Sequence, residues 1–200
     1  MKTPVLRKHK RENGQALVEF TMFFLFLLLL TAGVTDIGGL LNDHISLEYA
    51  ARQGARTASV LGNQQDSDCA VIGAINAALL NMPNLALTGI KIYDAGPNGQ
   101  VLSNKADIYG PGTTCAIVGG IPTISPAALQ LTYPPNIRNN TPYVEDSVGV
   151  ELDYTYTFRF GFGLLVTGSF SSSDYAVMPI NPVAIPSPVP TPTQLPTPTP

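Results

Sequence analysis

The sequence predicts an α+β protein in which one long N-terminal helix lies across a small antiparallel sheet. Three observations carry that expectation. Residues 16–35 (ALVEFTMFFLFLLLLTAGVT) are almost wholly apolar, residues 37–58 turn amphipathic with steps of three and four, and residues 148–158 (VGVELDYTYTF) alternate with period two. Composition narrows the class further. Of 200 residues, 44% are hydrophobic and 12% charged, too apolar for a disordered chain and thin for the surface of a soluble enzyme. The net charge of −3 argues against a nucleic-acid partner.

The first element is the apolar run. Its twenty residues hold one charge, Glu19, and as a helix they cover about 30 Å, one hydrocarbon thickness. A buried core helix and a cleaved secretory signal share this gross pattern. The core reading needs a small domain to surround residues 23–30 on every side, and the signal reading has only Thr31-Ala32-Gly33 as a cleavage site. A retained single-span anchor fits best. Five of the eleven Lys and Arg (Lys2, Arg7, Lys8, Lys10, Arg11) precede the run, so the positive-inside rule places residues 1–14 in the cytoplasm and 36–200 outside. Membrane lipid is therefore an expected partner.

Beyond Asp36 the helix should continue to about residue 61, a rod near 70 Å. Ile37, Leu40, Leu41, His44, Ile45 and Leu47 lead along one face into Ala51, Gly54, Ala55 and Ala58, while Asn42, Asp43, Ser46, Arg52, Gln53 and Arg56 read as the polar face. The small-residue stripe past residue 45 suits packing on the protein's own domain; the upstream part suits neighbouring subunits. Gly33 and Gly38-Gly39 are points where the rod could bend.

Residues 63–181 read as the outer domain. A helix is expected over 66–82, stopped by Pro83. Residues 87–93 and 100–103 around Pro97-Asn98-Gly99 suggest a hairpin, followed by a Gly/Pro-rich loop. The alternation of 148–158 puts Val148, Val150, Leu152, Tyr154, Tyr156 and Phe158 on one face, and residues 164–166 and 170–178 could add strands. From Pro182 the chain is Pro/Thr-rich, with eight prolines in nineteen residues, and reads as an extended spacer, a carrier of glycans or a disordered tail, outside any core.

Cys69 and Cys115 both fall outside the span. An even count in an exported domain reads first as a disulfide, contributing about 4 kcal/mol for a loop of this length; two unrelated thiols are the alternative. Metal binding lacks partners, since the two histidines are His9 and His44. Walker, Rossmann, HExxH and GxSxG patterns do not occur, so neither a catalytic residue nor a cofactor is assigned. Asp43-His44 reads as a solvated or interface face, and Glu145, Asp146, Glu151 and Asp153 as loop and outer-strand charges. Asn139-Asn140-Thr141 has the form of a glycosylation sequon, a pattern too common to weigh.

The most specific signal is the junction RENGQALVEF at 11–20. A basic leader, a glycine, four residues and then Glu-Phe entering the apolar run resemble the type IV prepilin cleavage site. That resemblance implies a cut between Gly14 and Gln15 by a prepilin peptidase, leaving Glu19 as the fifth residue, followed by Phe20. The physics is compatible. Glycine lets an extended backbone approach a protease closely, and an amine at Gln15 lies one helical turn from the Glu19 carboxylate. Insertion scales put an ionisable group inside a span at about 2.5–3.5 kcal/mol, so Glu19 calls for a reason.

Taken together, GQALVEF, DIGGLL and AARQGARTAS, with one span and a terminal strand pair, resemble the TadE-like family of the tight-adherence pilus system. The resemblance implies a pilin-like α+β fold and a non-enzymatic minor pseudopilin. Its partners would be a prepilin peptidase, other pilin-like subunits and the pilus assembly machinery. It further implies a single-pass protein of the cytoplasmic membrane with its head outside. The Pro/Thr tail lies beyond what the resemblance covers.

Overall fold

A computed structural model describes residues 13–80, 82, 85–119, 121–158 and 169–181. Most of the basic leader, the expected strand at 164–166 and the Pro/Thr tail lie outside the described residues. The fold is α+β, as expected. Helix α1 (Asn13–Leu61) is followed by α2 (Ser67–Leu79), then strands β1 (Leu85–Ala95), β2 (Val101–Tyr109), β3 (Thr114–Val118), β4 (Ile121–Ser125) and β5 (Gln130–Leu131). A 3-10 turn (Pro135–Ile137) leads to β6 (Ser147–Thr157) and β7 (Ser169–Pro179). The main sheet has the order β5-β2-β1-β6-β7, antiparallel throughout, and β3-β4 form a separate hairpin.

The alternation in β6 does what alternation should. Val148, Val150, Leu152 and Tyr154 point inward with Ile90 and Ile92 of β1, and meet Leu47, Ala51, Ala55 and Ala58 of α1 and Val71, Ile72 and Ile75 of α2. Each large apolar side chain so covered contributes about 1.5–3 kcal/mol. Small residues on α1 set the closeness of this approach. A Cβ on Gly54 would sit 3.1 Å from Ile75 and 3.2 Å from Val150, and one on Gly39 only 2.8 Å from the Tyr156 hydroxyl oxygen. The outer face of the sheet carries a smaller apolar cluster, Tyr93, Ala95 and Ala106, beside the Lys91–Glu151 ion pair at 2.9 Å.

Two features set direction. Near its start the head reaches α1 at Asp36, whose carbonyl accepts from the Tyr156 hydroxyl at 3.4 Å. Near its finish, Asn181 N–H donates to Ser59 O at 2.8 Å, beside the end of α1. The sheet therefore runs along α1, and its Pro179 end marks the end of the head farthest from Asn13. Helix α2 turns back antiparallel to α1 from that far end. Cys69 in its first turn is bonded to Cys115, with Cα atoms 5.3 Å apart, so the disulfide reading holds over the unrelated-thiol one.

One sequence expectation is corrected along α1: Asp43, expected on the polar face, is buried. Ile37, Leu41 and Ile45 are exposed, on the stretch whose pattern suits neighbouring subunits. The buried face of α1 runs Gly33, Asp36, Asp43, Leu47, Ala50, Gly54, Ala58, with small residues predominating beyond Leu47.

Candidate membrane and assembly segment

Gly14, Gln15, Glu19 and Phe20 occupy the first two turns of α1, all exposed. The Gln15 side-chain amide donates to the Glu19 carboxylate at 3.3 Å, the one-turn spacing also required of an amine at that position. Phe20 stacks on Phe24, ring centroids 5.8 Å apart and planes 14° apart. A Cβ on Gly14 would meet nothing within 4 Å, so the glycine answers no packing demand among the described residues.

Along the next three turns and more, every large apolar side chain from Leu17 to Leu30 is 46–72% exposed. Only 6% of the apolar window is buried, which removes the core-helix alternative. The polar groups within it are satisfied locally: Thr21 and Thr31 hydroxyls donate to the carbonyls of Leu17 and Leu27, four residues back, at 2.7 and 2.8 Å. That is how a hydroxyl is carried into hydrocarbon at low cost. This helix is long and apolar enough to cross a membrane, and it points to single-pass anchoring.

Above the span the outward face of α1 stays apolar. Val34, Ile37, Leu41, Ile45 and Tyr49 recur every three or four residues, each 49–64% exposed, on the face away from the sheet. The stripe gives way to the Glu48–Arg52 ion pair one turn later. His44 lies beside it, 3.6 Å from Asp174 of β7 and 3.4 Å from the Tyr154 hydroxyl, so the Asp43-His44 pair splits: Asp43 faces the head and His44 lies half exposed at its margin.

Cys69 and Cys115 are not part of this segment. They join α2 to the β3-β4 hairpin. Near them is a cluster that sequence reasoning missed. Arg138, fully buried, pairs with Asp68, and its Nη2 lies 3.8 Å from Asp107. It also donates to Ser67 Oγ at 3.1 Å and to the Tyr133 carbonyl. The Tyr109 hydroxyl donates to Asp68 at 2.9 Å, and Tyr133 N–H to Asp107 at 2.7 Å. One guanidinium thus faces two carboxylates, all of them buried. Burial pushes the Asp107 carboxyl up to about 6, with the Asp68 charge adding to the rise and the Tyr133 N–H and Arg138 opposing it. Burial likewise raises the Tyr109 and Tyr133 phenols. Asp146, which reads in the sequence as a plain loop charge, accepts from the Tyr133 hydroxyl and Asn139 N–H and so holds the same loop. The cluster is sealed, which suits a clamp between α2 and the 132–146 loop better than chemistry on a ligand. Among the described residues no group of three or more His, Cys, Asp and Glu could hold a metal ion.

No curated protein and no solved structure matches the chain. A family model, described as TadE-like protein, matches residues 14–56. It begins at the glycine before the span and ends within the small-residue track that seats the head. Over that helix the chain is similar to the TadE-like family, a likeness that suggests a pilus-associated protein with an N-terminal anchor helix.

Proposed function

We propose that this protein is a non-enzymatic minor pilin or pseudopilin that helps assemble or initiate a tight-adherence pilus. A prepilin peptidase cuts between Gly14 and Gln15. Residues 1–14 are the cytoplasmic leader, 15–35 the span in membrane lipid, and 36–181 the extracytoplasmic head, with 182–200 as a spacer. Assembly with other pilin-like subunits then uses the outward face of α1. The observation that supports this best is continuity. One unbroken helix carries an unpacked glycine, a lone exposed Glu19, a bare apolar span and an unpartnered apolar stripe, and the TadE-like match lies on that same helix.

N-terminal sequencing of the membrane-extracted protein, from hosts with and without prepilin peptidase, tests it. We expect a start at Gln15 with the peptidase and at Met1 without it, and no processing of Gly14→Val. A start near Val34, or an uncut wild-type chain, overturns the reading. The Cys69–Cys115 bond favours a second reading, a signal-anchored binding or adhesion protein with a closed head. That protein would function with Gly14 and Glu19 replaced, provided it stayed anchored.

A further inference from the structure

The β3-β4 hairpin has a chemistry unlike the rest of the head. From Ile108 to Ile137 the chain contains no Asp, Glu, Lys, Arg or His. At the hairpin tip Ile117, Val118 and Ile121 are 62–72% exposed. Register puts them on both faces. Val118 pairs with Ile121 on one side, while Ile117, paired with Pro122, shares the side of Cys115 and Ile124. The base is held firmly: Cys115 is bonded to Cys69, the Asn76 amide donates to Thr113 O at 2.9 Å, and Ile124 packs on the core. The strand thus runs from the level of Asn76 toward the first turn of α2, and carries the tip past it. That is the end of the head opposite the anchor.

A flat surface on another protein would cover one face of such a hairpin and leave the other in water. A bilayer interface surrounds a tip on all sides. It also demands no charge, and favours backbone already hydrogen-bonded within the inserted element, which five paired residues on each strand supply here. From this we infer that the β3-β4 tip is a lipid-inserting element that docks the head on a bilayer other than the one holding α1. The inference rests on α1 as an anchor but on neither the cleavage nor the pilus assembly proposed above.

The test uses the full chain in proteoliposomes with heads outward, mixed with protein-free phosphatidylcholine vesicles carrying brominated acyl chains. Successful reconstitution checks the anchor separately. The chain contains no Trp, so Val118→Trp provides a single reporter. We expect vesicle docking that survives high salt, with a blue-shifted indole emission from that variant, quenched by the brominated lipid. Ile121→Asp should lower docking about tenfold or more, with peptide mapping showing Cys69 and Cys115 still linked. Absence of docking overturns the inference. Docking without quenching does so too. If proteoliposomes cluster with one another while protein-free vesicles stay free, the tip binds a second copy and the lipid assignment is wrong.

Discussion

Arg138 sits in the interior with Asp68 and Asp107 on one side and the Tyr133 carbonyl on the other. One cation between two carboxylates leaves an excess negative charge, and Asp107, whose Oδ2 has no hydrogen bond among the described residues, bears it. Its folded pKa of about 6 lies above the ordinary carboxylate value of 3.8, so the folded state holds this proton more tightly than the unfolded chain. The contribution to stability is therefore full below about pH 4 and lost as pH rises through about 6, amounting to roughly 2–3 kcal/mol. Denaturant melts across that range should show Asp107→Asn with a flatter profile than wild type, gaining relative stability at pH 7. A wild-type profile just as flat would place the excess charge elsewhere. Nothing in the sequence marked this cluster. Arg138 stands at the end of thirty uncharged residues, a position that reads as an ordinary loop cation until the fold brings Asp68 to it from seventy residues upstream.

Among the elements, those with strong periodicity were legible. Helix α1 ends at Leu61 as its pattern requires, α2 falls inside 66–82, and β6 buries the expected face from Val148 to Tyr156. Strands β3, β4 and β5 were hidden, because Gly, Pro and small polar residues make the segment resemble a loop. What orders β3 is a contact distant in sequence, the disulfide to α2. Its loop suggests a contribution of about 4 kcal/mol by chain entropy. Replacing both cysteines by serine should lower the melting temperature and speed proteolysis within residues 113–125 ahead of the rest of the head. Uniform cleavage would mean that Ile124 and Asn76 suffice to hold the hairpin. Along α1 the misread position is Asp43, a polar residue by pattern that the fold turns toward the head, while Ile37, Leu41 and Ile45 stay outward.

At the scale of the whole molecule, a charge near the start of α1 bears on association with neighbouring subunits. Glu19 carries the only formal charge on the bare span, and Gln15 gives it only a neutral partner at 3.3 Å. In the proposed assembly a neighbouring subunit's N-terminal amine fills that role, and breaking a half-buried pair of this kind costs about 3–5 kcal/mol where burial is deep. Glu19→Ala should therefore leave cleavage and membrane insertion largely intact while reducing co-purification with other pilin-like subunits. Glu19→Asp should fall between. Wild-type recovery of partners with Glu19→Ala would reduce the carboxylate to part of a recognition motif.

The unbroken passage of α1 from span to head has a mechanical corollary. With one continuous helix joining them, a tilt of the span carries the head with it. From Gly33 to Leu61 the helix rises about 42 Å, so a tilt of about 20°, common for membrane helices, sweeps its far end sideways by roughly 14 Å. The hairpin tip travels with it, since α2 and the disulfide tie that end to α1. A thinner or thicker bilayer would thereby redirect the head like a lever, with no rearrangement inside it.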